Sequence, residues 1–423
     1  AQLHKTKERL TRLQHTDYVN LILHKNKLLD IDEENNFDDD AQDIDDNDLW
    51  EAIHDANERL KNDPMSLIHV EGPPQLQAKI RETLEKYKSC FREEVSTEPA
   101  RVEPFQLDVD KTKWEGRFAN KQAPRFQSRT KEEAINEFIV NAKRLGLIED
   151  SQAEAWSQVH LTKKPNGKWR FCIDYRNLNN ATTGMGWPLP NIKATLERIG
   201  ARKPIYFAVL DLTQGYYQTA ISKNSRMATA FRTSTGLYQW TRLPMGLKGA
   251  PAYFQQQMQQ SILTDLLYTC CEVYLDDIII YGASEAEFLN NLQRVLQRLQ
   301  QFNVTLNPNK ARVGVTSVEY VGHIISDKGL TMSEQKIQKV QDFRKPLTQK
   351  DMKSFLGMTN QFRPHIRGYE HFGPLLHNMT KDYDKKKNKT LQWTEQTTAA
   401  FEQLKKAIAD CTPLFFVHES API

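Results

Sequence analysis

Cys270-Cys271-Glu272-Val273-Tyr274-Leu275-Asp276-Asp277-Ile278-Ile279-Ile280-Tyr281-Gly282 is the stretch on which the reading of this chain turns. Two apolar runs rich in β-branched and aromatic residues flank an Asp-Asp pair. That pattern predicts a buried β-hairpin with two carboxylates at its turn. Adjacent acids among so much aliphatic surface repel each other and lose hydration, so they require a compensating positive charge. Hard divalent cations with oxygen ligands are the usual compensation. Asp is also a common turn residue, and the pair alone does not separate a metal site from an ordinary turn.

A second segment separates them: Tyr206-Phe207-Ala208-Val209-Leu210-Asp211-Leu212-Thr213-Gln214-Gly215-Tyr216-Tyr217-Gln218. An apolar run again delivers one Asp, followed by Gly and paired aromatics. Two strands that set Asp211 beside Asp276 make a carboxylate cluster able to hold two metal ions about 4 Å apart. Such a cluster suits in-line phosphoryl or nucleotidyl transfer.

These two segments resemble motifs A and C of a reverse transcriptase palm. Between them, Arg242-Leu243-Pro244-Met245-Gly246-Leu247-Lys248-Gly249-Ala250-Pro251-Ala252-Tyr253-Phe254-Gln255 is similar to the family's Leu-Pro-x-Gly…Pro…Phe-Gln motif. Upstream, the segment from Lys163 to Asn179, with Asn166-Gly167 at its centre and Arg170 after it, resembles the fingers hairpin. Downstream, Glu319-Tyr320-Val321-Gly322-His323-Ile324-Ile325 resembles the primer grip. Several blocks in the family's order are far more specific than any one. The Gly-His form, with Ser354-Phe355-Leu356-Gly357-Met358-Thr359-Asn360-Gln361-Phe362-Arg363 after it, points to gypsy-type (Metaviridae) LTR retrotransposons and the polymerase part of their Pol polyprotein. The resemblance runs from about Ile68 to the C-terminus.

The resemblance implies an α+β right-hand polymerase: fingers, a palm with an antiparallel sheet and helices, and a helical thumb around a basic cleft. The implied division is an N-terminal extension over 1–60, a lead-in over 61–125, fingers over 126–205 and palm over 206–330. The thumb would follow over 331–385, and a tether toward a ribonuclease H domain over 386–423. The implied activity is RNA-directed DNA polymerisation by two-metal-ion nucleotidyl transfer in retrotransposon replication. Asp211, Asp276 and Asp277 are the implied catalytic set. With the carbonyl of Leu212 they would ligate two Mg²⁺ ions, or Mn²⁺ in their place.

The remaining implied contacts are with nucleotide and primer. Lys163, Lys164 and Arg170 would meet the incoming triphosphate, Arg as a planar fork and Lys as a point charge. Tyr216 stands where the family sets a bulky ring under the sugar, a ring that rejects a 2′-OH by clash; the ordinary role for either Tyr216 or Tyr217 is in the core. Met245 and Gly246 complete the nucleotide contacts, although the family commonly has an aromatic or Gln where Met245 stands. Tyr274, Tyr320, Val321, Gly322 and His323 would position the primer, with His323 structural rather than catalytic. Implied partners are an RNA or DNA template with its primer, deoxynucleoside triphosphates, and Gag or Pol proteins or a second copy of the chain. No membrane partner is implied, and the implied location is the cytoplasm, within a virus-like particle, or the nucleus.

Composition agrees with a globular chain. Its 423 residues suit two or three domains, with 26% charged and 39% apolar residues. No apolar run approaches a membrane span and the N-terminus lacks a signal-peptide pattern, so an intracellular protein is expected. The five cysteines lack metal-ligand spacing and read as reduced, mostly buried thiols. The net charge of +3 hides a division: twelve acids and no Lys or Arg lie between Asp30 and Glu51, leaving 57 basic against 42 acidic residues elsewhere. A basic body suits a polyanionic partner.

Along the chain, Ala1 to Lys27 suits a helix, and the acidic run after it is expected to be a disordered linker. Helical spacing appears over Gln75 to Phe91 and over Lys131 to Leu145, the latter with Thr130 and Glu133 as a capping box. Strand-turn-strand patterns cover Val159 to Tyr175 and Met227 to Arg242. Helices are expected from Pro251 to about Leu267 and from Glu285 to Phe302, the second with a buried stripe that packs beneath the palm sheet. From Ser333 the pattern is helical and basic, suited to gripping phosphates. No Asp-Ser-Gly or Asp-Thr-Gly protease signature and no integrase-like zinc motif occurs in the sequence. The expectation is therefore a polymerase piece of a longer polyprotein, or a truncated relic.

Two other classes compete. A degenerate or host-retained retroelement protein would bind nucleic acid without polymerising, and nothing would then preserve all three acids. A different two-metal palm enzyme, such as a nucleotide cyclase, needs neither the fingers hairpin nor the primer-grip block.

Overall fold

The computed structural model describes residues 63–410 and residue 414, apart from 164–166, 168, 367 and 385–387. The expected N-terminal helix, the acidic run, Lys164 and Cys411 therefore lie outside the described residues. Three sheets organise the rest. The central one has five strands in the order His69–Val70, Arg312–Val315, Tyr206–Asp211, Asp277–Gly282, Cys271–Tyr274. Its inner pairings are antiparallel, and Tyr206–Asp211 runs beside Asp277–Gly282 with Asp211 directly opposite Asp277.

The β-branched and aromatic runs form this sheet because both its faces are covered, which favours continuous rather than alternating apolar strands. One face packs on the helix Glu285–Gln301, whose Phe288, Leu292, Val295, Leu296 and Leu299 are buried. Burying each of those side chains stabilises the fold by about 1.5–3 kcal/mol. Ser284 caps that helix by accepting from Glu287 N–H. The helix Pro74–Lys86 contributes Leu76, Ile80 and Leu84 to the same core. Against the other face lie Leu196 and Ile199 of the helix Ile192–Ala201, with Val318, Tyr320 and Ile325.

The second five-stranded sheet runs Ile148–Asp150, Leu237–Trp240, Phe231–Arg232, Ser157–Lys163, Trp169–Asp174. The helix Arg129–Arg144 packs on it, Phe138 stacking on Phe171 with centroids 4.0 Å apart. This helix begins earlier than the sequence predicts, at Arg129 with Ser128 as its N-cap residue, and the expected Thr130–Glu133 capping box does not form. Arg129 takes Glu133 instead, as an i,i+4 ion pair at 3.1 Å. The helix expected from Pro251 to Leu267 is Ala250–Gln257 followed by a π turn over Met258–Ile262.

A three-stranded sheet, Ser317–Tyr320, His323–Ser326 and Gly329–Met332, leads into a helical unit. The helices Glu334–Gln341, Gln349–Thr359, Tyr369–Asn378 and Glu395–Ala409 share one core built on Val340, Phe355, Phe362, Leu376, Phe401 and Leu404. Among the described residues no helix is long and apolar enough to cross a membrane.

Candidate active site

The site lies where the two central strands end. Asp211 is the last residue of its strand, Asp277 the first of the next, and Asp276 occupies the two-residue turn between Tyr274 and Asp277. The main chain ties the acids together: Leu212 N–H donates to Asp276 O at 3.2 Å and Asn307 N–H to Asp211 O at 2.8 Å. Leu275 holds the turn at φ 53, a left-handed conformation unusual for a branched aliphatic residue.

A fully buried side chain keeps that turn in place. Gln255 Oε1 accepts from Leu275 N–H at 2.7 Å, and its Nε2 donates to Val273 O at 3.2 Å. One glutamine thus satisfies a donor on the turn and an acceptor on the strand before it, at 0% exposure. Gln255 closes the Phe-Gln block in the sequence, but its partner 20 positions away is set by the fold.

Electrostatically the site is short of positive charge. Burial, with Asp211 and Asp277 close by, raises the Asp276 carboxyl to about 6. Burial and Asp211 raise Asp277 as well. Asp276 Oδ1 is buried without a hydrogen-bond partner among the described residues. The only cation touching the acids there is Lys310, whose Nζ lies 3.0 Å from Asp211 Oδ2. Sequence reading missed Lys310, which follows a polar Asn307-Pro308-Asn309 turn and reaches Asp211 across 99 residues.

Among the described residues, no three acidic, His or Cys side chains are already gathered in ligating position. The donor set nevertheless fits a hard cation: the Asp276 and Asp277 carboxyls raised by burial and by Asp211, one orphaned buried oxygen, and among the described residues a single lysine offsetting them. Asp211, Asp276 and Asp277 would hold it, with the Leu212 carbonyl next to them in the chain.

Around the acids the structure places the other predicted residues unevenly. Tyr216 is half-buried, its ring 5.2 Å from Phe254, and burial with nearby Asp276 pushes its phenol up to about 12. Tyr217 instead stacks on Trp240 at 5.0 Å, the core role. Lys163 and Arg170 are exposed on the hairpin Ser157–Lys163 and Trp169–Asp174, where Lys163 opposes Trp169 and Nζ rests 5.4 Å from its ring. Met245 and Gly246 are exposed, with Gly246 O accepting from Asn179 Nδ2 at 2.8 Å. Tyr274, Tyr320 and Val321 share one apolar cluster, and Tyr320 pairs with His323 across the hairpin.

Residues 162–325 match the model of the family described as reverse transcriptase (RNA-dependent DNA polymerase). The chain is 35% identical over 241 residues to the retrovirus-related Pol polyprotein from transposon opus of Drosophila melanogaster, covering 56% of this chain and 24% of that one. It is 34% identical to the corresponding polyprotein from transposon 297, covering 68% and 27%. The Tf2-3 transposon polyprotein of Schizosaccharomyces pombe is 30% identical over 66% of this chain and 20% of that one. The chain thus spans about a quarter of the length of these relatives. Among solved structures, the foamy viral protease-reverse transcriptase in complex with double-stranded DNA superposes with a TM-score of 0.72 at 21% identity, over 88% of this chain and 74% of that one. Its complex with an RNA/DNA hybrid gives 0.70 at the same identity, over 88% and 48%. These likenesses identify the α+β fold described above as the right-hand polymerase fold.

Proposed function

We propose that the chain belongs to the reverse transcriptases of LTR retrotransposons and is the polymerase part of a Pol polyprotein, an RNA-directed DNA polymerase that extends a primer 3′ end with deoxynucleotides. The observation that supports this most is the carboxylate set itself, two acids at adjoining strand ends and a third on the turn beside them, with one buried oxygen unpartnered among the described residues. We assign the fingers to 126–205, the palm to 206–330 and the thumb to 331–385.

Asp211, Asp276 and Asp277, with the Leu212 carbonyl, would hold two divalent ions, Mg²⁺ or Mn²⁺. When bound, these lower the pKa of the primer 3′-OH and neutralise the triphosphate and its leaving group. The chain's own residues position and exclude. Lys163 and Arg170, with Lys164, neutralise phosphate charge from the fingers side. Met245 and Gly246 line the approach, and Tyr320 to His323, with Tyr274, hold the primer terminus in line with the acids. The partners are an RNA or DNA template-primer and deoxynucleoside triphosphates, with Gag or Pol proteins as assembly partners in the particle.

Extension of a DNA primer on an RNA template with Mg²⁺ tests the reading. Tight template-primer binding without extension would leave a nucleic-acid-binding protein in its place. The Tyr216 ring gives a sharper test. Tyr216→Ala opens the space below the sugar, so ribonucleotide incorporation should rise by about 10²-fold relative to deoxynucleotide, the scale of a removed steric clash. Unchanged discrimination in competing-nucleotide assays would take Tyr216 out of this role.

A further inference from the structure

The hairpin Ser317–Tyr320 and His323–Ser326 turns on Val321 and Gly322, both with positive φ, at 47 and 79. A β-branched residue in the left-handed region is a backbone outlier, kept only where the surroundings over-determine it. Those surroundings come from the helical unit that follows. Lys336 Nζ, on the helix Glu334–Gln341, donates to Gly322 O at 2.7 Å and to Gln361 Oε1 at 3.3 Å. Both acceptors are neutral oxygens, and burial lowers the Lys336 pKa from the ordinary lysine value. A Cβ at Gly322 would meet that nitrogen, and the positive φ favours glycine there as well.

A second contact joins the same parts. His323, the residue after the turn, stacks with His365 at 6.3 Å between centroids, and His365 shares the 3₁₀ turn Asn360–His365 with Gln361. Burial pushes His323 down to about 4, and Lys336 and His365 act in the same direction, so its ring is neutral beside the ammonium. Side chains from two separate helical segments thus hold the strained turn at Gly322 and the strand residue that follows it.

We propose that Lys336 is a positioning residue that latches this turn to the helical unit, so that turn and helices move as one body and the primer end is aligned only when those helices are in place. The inference rests on the polymerase reading, because it takes the turn to hold the primer. An ammonium suits such a latch because it offers three donors on a flexible stem and reaches two carbonyl-type oxygens from one helix position. Without it the strained turn relaxes, and the 3′ end loses its alignment although the phosphate contacts that set affinity remain.

Lys336→Met keeps the stem and removes the donors, and Lys336→Arg restores a donor. On the full chain, hydrogen exchange should speed up in Lys336→Met at residues 317–326 and 334–365 together, and not in the central sheet. Single-turnover incorporation should fall about tenfold or more with template-primer Kd unchanged, and Lys336→Arg should recover part of the loss. Unchanged exchange in Lys336→Met would overturn the latch whatever the activity. Faster exchange with unchanged incorporation, or equal losses of incorporation and binding, would overturn the positioning role. A parent chain that never extends a primer would overturn the polymerase reading and the primer alignment that rests on it, while exchange still judges the latch.

Discussion

Asp276→Asn should lose nucleotide incorporation by about 10³-fold or more while template-primer affinity stays within about twofold. The amide keeps the size of the carboxylate, so Gly215 and the Leu212 N–H contact to the main chain of residue 276 are undisturbed. What changes is charge: one anion leaves a set that, among the described residues, only Lys310 offsets, and divalent-ion affinity falls with it. Single-turnover extension beside a filter-binding measurement separates the two quantities, and parallel loss of both would remove Asp276 from catalysis. The same substitution has a signature without metal. The folded-state pKa of Asp276 is raised, to about 6, above its unfolded value. The stability cost of the ionised group is therefore fully present above about pH 6 and is relieved as pH falls toward the ordinary carboxylate range. In a chelator, the parent should gain stability between about pH 7 and pH 5, and Asp276→Asn should gain less. Urea unfolding at the two pH values reads the difference.

The acids were legible in the sequence because strands covered on both faces leave an unbroken apolar run, against which a single Asp stands out. The runs around Asp211 and Asp276-Asp277 carry that signal whatever the tertiary structure. The register was less visible: it is Asp277, not Asp276, that lies across from Asp211, while Asp276 belongs to the turn. Lys310 and Gln255 were not legible as parts of the site, since each acts through a partner delivered by the fold. The helix start at Arg129 is hidden in the sequence because Thr130 and Glu133 have capping-box spacing; Arg129 opens the helix earlier and takes Glu133 as its own partner. The latch at Lys336 was invisible for the same reason as Lys310. A lysine in a basic, helical stretch looks like every other solvated lysine until a carbonyl oxygen is found at its end.

Gly215→Ala should cost about 10²-fold in incorporation rate with about 1–2 kcal/mol of stability lost, an effect out of proportion to one methyl group. Gly215 opens the 3₁₀ turn that carries Tyr216, and it is buried against the acids. A Cβ there would lie 2.5 Å from Asp276 Oδ1, 3.0 Å from its Cγ and 3.3 Å from Phe254 Cζ. Asp276 has little room to give way, because Gln255 holds the preceding residue by its N–H and Leu212 N–H holds the Asp276 carbonyl. The carboxylate must rotate or the Tyr216 turn must move outward, and either displaces a group from the place where the acids and Tyr216 meet. Gly186→Ala is the control: a Cβ there meets nothing within 4 Å, so it should match the parent. Single-turnover rates and thermal unfolding of both variants decide the matter. A Gly215→Ala rate within about threefold of the parent would mean that the Asp276 carboxylate moves freely, and that its catalytic position is set by bound ions rather than by the protein around it.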